Sequence, residues 1–348
     1  MEITTKSTNT SPFESSTYNE TITFMYEESE EKKQILDFFK IARIIVPIIF
    51  ALIIVTGIAG NTLTVTVLLL NKDSKTVTDI LIINLAVADI FFIVFCIPFI
   101  AVDFAMLDAF GNSQWPFGDE WCRMVEYVTY ACSYTSMYIL VLISLDRYLA
   151  LVHPIRALIL RTKRNCYKAL TFIWSIVFLG NIPMIFETPY CSGVKNYMKQ
   201  SSLQMLYICF FVFGFILPII LMCIPYVHML KIYLTGHISG LNNHTSRFQL
   251  RSKQRVTKMV ITVVMVCIIC RLPFHIVSLY VLFANYFQNT PPVIQSIIIV
   301  TQCISYLNCC INPILYTFYS KTFRKVFRDL LSCKRRNDLE NATEVNLH

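Results

Sequence analysis

Charge is what this sequence has least of. Only 15% of its 348 residues are charged, against 55% hydrophobic, whereas a soluble domain carries roughly a quarter charged residues. The mean hydropathy is +0.56. The apolar residues gather in stretches long enough to cross a bilayer, which takes about 20 residues as helix. That distribution excludes a soluble enzyme and a nucleic-acid-binding module. An apolar signal-peptide core is missing from Met1–Lys40, so the first apolar stretch is expected to act as its own insertion signal. No internal repeat is present. Cysteine is not scarce, at 13 residues, but most lie inside apolar runs, where a free thiol behaves as a small hydrophobe. A secreted disulfide framework is not implied.

Seven long apolar runs follow one another: Ile44–Leu70, Asp79–Phe104, Arg123–Val152, Tyr167–Phe186, Leu203–Tyr233, Val256–Ala284 and Val293–Tyr319. Their length predicts an all-α membrane protein, a seven-transmembrane helix bundle. Pro47, Pro98, Pro183, Pro218, Pro225, Pro273 and Pro313 fall within the runs. In water a proline ends a helix, but in a membrane neighbouring groups re-satisfy the freed carbonyl and leave a kink. With the N-terminus outside, 21 Lys and Arg residues lie on the inner side against 8 on the outer. The acids divide the other way, 7 inside and 14 outside, leaving Asp89 and Arg271 in mid-span. This polarity puts the N-terminus outside. The basic inner face suits anionic lipid and an acidic cytosolic partner. The outer acids, Asp103, Asp108, Asp119, Glu120, Glu126 and Glu187, either steer a cationic ligand inward or merely solubilise the surface.

Residues 1–43, rich in Ser, Thr and Glu, read as a disordered extracellular segment, with Asn9 and Asn19 in glycosylation sequences. The bundle spans 44–319. Beyond it, Phe323, Phe327, Leu330 and Leu331 recur at helical spacing among basic residues. They predict a short amphipathic helix on the membrane surface over 320–333. Cys333, beside Lys334, Arg335 and Arg336, is a lipidation candidate. Residues 334–348 form a cytosolic tail.

Two ionisable residues sit deep in the bilayer. An intramembrane carboxylate such as Asp89 costs roughly 2.5–3.5 kcal/mol on insertion scales unless paired. Arg271 lies about 15 residues from the cytosolic end of its span, hence about 22 Å deep at 1.5 Å per residue, too far to snorkel. A buried guanidinium seeks a carboxylate, and Asp89 is the other charge at that depth. A direct Arg271–Asp89 bridge is one reading; the other has Arg271 facing a watery cavity and pairing with water or ligand.

Short residue groups on particular spans carry a family resemblance. They are Gly60-Asn61 on the first, Asn84-Leu85-Ala86-Val87-Ala88-Asp89 on the second and Asp146-Arg147-Tyr148 ending the third. Trp174 follows on the fourth, Pro218 on the fifth, Cys270-Arg271-Leu272-Pro273 on the sixth and Asn312-Pro313-Ile314-Leu315-Tyr316 on the seventh. In this order the set resembles the rhodopsin-like family of G-protein-coupled receptors, over about Val46 to Cys333. Cys96-Ile97-Pro98-Phe99, Trp115-Pro116-Phe117-Gly118, Ser144-Leu145-Asp146-Arg147-Tyr148 and Leu272-Pro273-Phe274-His275-Ile276 narrow the resemblance to neuropeptide receptors of the galanin and allatostatin-A group. Opioid- and somatostatin-type receptors share many of these residues. Two absences agree with a peptide ligand. The seventh span has no Lys before Lys321 to hold retinal, and Thr129 stands where similar amine receptors have Asp.

The resemblance implies a plasma-membrane receptor that catalyses nothing itself. Its partners would be an extracellular peptide, a heterotrimeric G protein, arrestin and receptor kinases, the last two acting partly through Thr235, Ser239, Thr245, Ser246 and Ser252 in the third inner loop. It pairs Cys122 with Cys191 and assigns activation to Asp146, Arg147, Tyr148, Pro273, Asn312, Pro313 and Tyr316. Asp146 would hold Arg147 at rest. No acid stands at the base of the sixth span, which reads Arg251-Ser252-Lys253-Gln254-Arg255, so some basal activity is expected. The ligand pocket would use Phe99, Asp103, Glu126, Tyr127, Tyr130, Gln204, Phe274, His275, Ser278, Tyr280, Gln302 and Tyr306. For each aromatic among them helix packing is the competing role. The resemblance further implies a sodium ion at Asp89, Ser136, Asn308 and Asn312. Arg271 departs from the pattern, because the family carries a switch Trp there. That departure puts both sodium and Trp-type switching in doubt and leaves a constitutive or non-signalling receptor as an alternative. A transporter or channel built on Asp89 and Arg271 is the remote rival, disfavoured by the lack of repeats.

Overall fold

Caps and prolines set where the helices begin and break. Thr76 opens the second span with a capping box: its hydroxyl accepts from the Asp79 N–H at 3.2 Å, and the Asp79 carboxylate accepts from the Thr76 N–H at 2.9 Å. Thr162 caps the fourth with its hydroxyl alone, accepting from the Asn165 N–H at 3.2 Å. The computed structural model describes residues 12–70, 76–107, 115–187, 200–234, 244–284 and 290–319. Its helices are α1 (Pro12–Leu70), α2 (Val77–Phe95), α3 (Ile97–Ala105), α4 (Asp119–Val152), α5 (Pro154–Leu160) and α6 (Lys163–Gly180). After these come α7 (Pro183–Glu187), α8 (Gln200–Phe211), α9 (Leu217–Leu234), α10 (His244–Phe283) and α11 (Pro292–Tyr319), with a π-helical turn at Val212–Ile216 between α8 and α9.

Among the described residues seven stretches are long and apolar enough to cross a membrane: Leu36–Leu70, Val77–Ala105, Asp119–Val152, Lys163–Phe186, Gln204–Lys231, Ile261–Phe283 and Pro292–Leu315. The first begins eight residues before the sequence boundary at Ile44, and its helix runs back to Pro12, where disorder was expected up to residue 43. Extending an existing helix needs no new nucleus. Acid–base pairs at helical spacing, such as Asp37–Lys40 at 3.0 Å, also accompany the extension, although exposed pairs of this kind contribute little. Asn19 lies in this helix. Asn9, Cys191, Cys333, the amphipathic segment 320–333 and the tail 334–348 fall outside the described residues.

The expected prolines act in different ways. Pro98 stands just after the break between α2 and α3, while Pro47, Pro225, Pro273 and Pro313 lie inside continuous helices. Pro218 follows the π turn. Freed carbonyls near it are taken by tyrosines of α4: Tyr138 donates to the Phe213 carbonyl at 2.7 Å and Tyr134 to that of Phe210 at 3.4 Å. Gly214 lies in the turn directly against the Tyr134 ring, leaving no room for a Cβ.

The long helix α4 runs through the centre. Its lower half packs Met137 and Leu140 with Leu85, Phe215, Met222 and Val264, all buried. A second cluster joins Phe39, Phe50 and Ile53 of α1 to Ile97, Phe104 and Cys303. The outward faces are the reverse of a soluble protein's: Ile44, Leu52, Ile224 and Ile269 are each more than half exposed, as a lipid-facing surface requires. Fully buried Asn61 ties α1 to α11, donating to the carbonyls of Gly57 at 2.9 Å and Cys309 at 3.0 Å. Close approach of these two helices is also visible at Gly60, where a Cβ would sit 3.0 Å from Pro313.

Candidate functional site

Three polar features lie along the bundle axis. Uppermost is a cavity between α4, α10 and α11, lined by Glu126, Tyr130, Phe274, His275, Gln302 and Tyr306 of the expected set, and also by Thr129, Ser133, Tyr134, Arg271 and Ser305. Gln302 and Tyr306, one turn apart, are joined by a 2.7 Å bond in which the Gln302 amide donates. A neighbouring recess shares Tyr130, Phe274 and His275 and adds Ser278 with Phe210 and Phe211. His275 is wedged against Phe215, with ring centres 4.5 Å apart, and Phe211 at 5.7 Å. Its ring both packs α10 on α8 and the π turn and reaches the cavity wall.

The other expected pocket residues do not line these cavities. Tyr127 turns to the fourth span and donates to the Phe178 carbonyl at 2.9 Å, packing edge-on against that ring. Phe99 packs between Phe117 and Trp121, each 5.2 Å away. Tyr280 is 51% exposed on the outer face of α10. Gln204 lies on α8 and Asp103 on α3, the latter close enough to Glu126 for the two charges to act on each other. A helical residue's direction follows from its register, and register within a span is not visible in motif spacing alone. Cys122, at the start of α4, is disulfide-bonded.

Below the upper cavity lies a second, lined by Asp89, Ser136, Asn308, Thr129, Ser133 and Arg271 among others. The Asp89 carboxylate accepts from Asn312 Nδ2 at 3.0 Å and from Ser136 Oγ at 3.4 Å. The four residues grouped from the sequence are thus together. The direct Arg271–Asp89 bridge is not formed. Arg271 instead donates from Nη1 to the Ser133 carbonyl at 3.3 Å and to the Ser133 hydroxyl. Ser133 sits on the facing wall of α4 and intercepts the guanidinium before it reaches the carboxylate, which two neighbours already hold.

At the end of the bundle opposite the upper cavity Asp146 is the hub. Its carboxylate accepts from Thr78 Oγ1 at 2.6 Å and from Arg161 Nε at 2.6 Å and Nη2 at 3.2 Å. Arg147, the partner expected, stands farther off at 3.4 Å. Asp146 therefore does not hold Arg147 alone; a forked Arg161 has the better geometry. Tyr148 bonds His228 Nδ1 at 2.8 Å and meets His153 Nε2 at 3.3 Å. It thereby joins α4 to α9 and to the turn before α5. Asn312 and Pro313 are buried in α11, which also carries Tyr316.

A family profile described as "7 transmembrane receptor (rhodopsin family)" matches residues 60–316, most of the chain, from the last turns of α1 to near the end of α11. The chain belongs to this receptor family. An allatostatin-A receptor from Bombyx mori is 34% identical over 322 residues, 88% of this chain and 84% of that protein. A galanin receptor 2a from Danio rerio is 32% identical over 319 residues, covering 87% and 82%. A somatostatin receptor type 5 from Rattus norvegicus is 33% identical over 308 residues, again covering 87% and 82%. The protein is accordingly a multi-pass class A G-protein-coupled receptor, homologous to the allatostatin and galanin receptors.

In this receptor two participants escaped the sequence reading. Arg161 was counted only as one of several inner-side cations; nothing in its neighbourhood marks it as the one that folds back onto Asp146. Ser133 had a signal. Thr129, Ser133 and Ser136 repeat at i, i+4 and i+7 within an apolar span, a polar stripe that must face the bundle interior.

Proposed function

We propose that this receptor stands in the plasma membrane with its N-terminus outside and takes a neuropeptide of the allatostatin-A or galanin kind. The observation that carries this is the upper cavity. Aromatic walls from Tyr130, Phe274 and Tyr306 suit a peptide's aromatic and aliphatic side chains, and Gln302 suits its amides. Glu126 supplies the acid that meets a basic side chain or an N-terminal amine. The Cys122–Cys191 disulfide holds the second outer loop over the cavity mouth.

Residues 1–43 serve as a glycosylated outer segment, 320–333 as a membrane-surface helix lipidated at Cys333, and 334–348 as the tail. Peptide binding favours one of two states of the bundle. The inner part of α10 moves about Pro273, Arg147 leaves Asp146, and the opened crevice receives the G protein. Arrestin and receptor kinases then end the signal.

The test is G-protein dissociation in cells expressing the chain at the surface, challenged with allatostatin-A-type, galanin-type and somatostatin-type peptides. A saturable nanomolar response to the first or second set supports the reading. A response only to the third reassigns the ligand. Silence to all three, with G-protein coupling intact in a chimera bearing these inner loops, overturns it.

A further inference from the structure

Asp89 is 3% exposed in the middle of the second span, and a buried carboxylate needs a compensating positive charge. The family resemblance implies a sodium ion held by Asp89, Ser136, Asn308 and Asn312. As an oxygen cage these residues suffice, since all four meet around the Asp89 cavity. As a charge balance they do not fit, because the cavity already contains a cation. Arg271, 9% exposed, lines the same space. Its Nη1 is fixed on Ser133, while its buried Nε has no protein partner. Among the described residues no acid lies within ion-pair distance of it, and Asp89 is the acid on the wall of this cavity.

The space between them fits the missing link. The cavity has a volume of about 40 Å³, and one ordered water needs roughly 10–15 Å³. That leaves room for roughly three or four waters to link the orphaned Nε–H to the carboxylate. A sodium ion placed there would stand within a few ångströms of a guanidinium that cannot lose its proton. At about 4 Å and the effective dielectric of a protein interior, that repulsion weakens sodium binding by on the order of a thousandfold.

We propose that Arg271 is the resident counter-ion of Asp89, joined to it through water, so that the core of this receptor takes up no sodium ion. Arg271 also lines the upper cavity. One residue of the sixth span thus links the floor of the ligand cavity to the Asp89 cluster of the second, third and seventh spans. This inference does not rest on which ligand the receptor takes.

The experiment uses the purified full-length receptor without ligand, and follows thermal unfolding in NaCl against choline chloride at matched ionic strength. The wild type should unfold at the same temperature in both salts. Arg271→Leu should unfold several degrees earlier in choline and regain that loss saturably with sodium, and Arg271→Leu/Asp89→Asn should lose the sodium response. Arg271→Lys, which keeps the charge, should remain indifferent to sodium. A saturable sodium-specific rise in the wild type, abolished by Asp89→Asn, overturns the proposal. So does an Arg271→Leu protein that folds but ignores sodium. If Arg271→Leu cannot be purified, the wild type and Arg271→Lys decide, since a sodium response in either contradicts a resident counter-ion.

Discussion

Arg161 and Arg147 compete for one carboxylate, and the competition gives a prediction with a definite sign. Asp146 receives the Arg161 fork at 2.6 and 3.2 Å and Arg147 only at 3.4 Å. Removing the fork by Arg161→Gln leaves the buried carboxylate with Thr78 and Arg147, and Arg147 then closes on the vacated oxygen. A hydrogen bond to a charged group contributes about 1.5–3 kcal/mol. Taking the lower figure, because the long Arg147 contact already supplies part of it, the resting state gains about 1.5 kcal/mol. Since 1.4 kcal/mol is a factor of ten, basal G-protein dissociation should fall about tenfold and agonist curves should move about tenfold to the right. The assay is G-protein dissociation normalised to surface receptor, with and without agonist. Asp146→Asn, which releases both arginines, should do the opposite and raise the basal signal. Raised or unchanged basal signalling in Arg161→Gln would show that the fork, rather than the Arg147 contact, is the resting lock.

Other substitutions test other parts of the architecture. Glu126→Gln keeps the shape of the upper cavity but removes its acid, and should weaken a peptide with a cationic anchor at least tenfold in concentration–response curves, at unchanged surface expression. Equal potency would remove Glu126 from the site. Gly214→Ala drives a methyl into the Tyr134 ring, and overpacking of this kind costs about 1–3 kcal/mol, read as a lower unfolding temperature of the purified protein. Wild-type stability would mean that the π turn relaxes freely. Asn61→Ala strips two bonds from a fully buried side chain and should cost at least about 1–2 kcal/mol, again by thermal unfolding; a neutral result would mean that α1 is held by its apolar contacts alone.

Most of the architecture was legible because the bilayer imposes it. Every span had to be about 20 apolar residues long, and the seven helices lie where the hydropathy put them, with ends shifted by a few residues except the first, which starts eight residues earlier. The Asp89 cluster was legible too: polar residues inside an apolar span have nowhere to go except toward one another. What stayed hidden depended on rotation and on side-chain reach. Tyr127 and Tyr130 are three residues apart on one helix, yet one turns to Phe178 and the other to the cavity. Arg271 and Asp89 do share one cavity, but the direct bridge between them is blocked by Ser133, whose carbonyl and hydroxyl take the guanidinium first. Asp146 was expected to bind its sequence neighbour and does so at 3.4 Å, but a residue fifteen positions on reaches it as well and with better geometry. The helix over residues 12–43 was hidden because its polar composition is that of a disordered segment, and a rigid span ready to extend it leaves no mark in composition.

The receptor reading stands most directly on whether peptide outside changes G protein inside through the upper cavity. The decisive measurement is G-protein dissociation in response to allatostatin-A- and galanin-type peptides, compared between the wild type and Glu126→Gln at equal surface expression. A nanomolar response in the wild type, shifted at least tenfold in Glu126→Gln, is the predicted result. A wild type that answers neither peptide set while remaining coupling-competent, or a response indifferent to Glu126, would contradict the account.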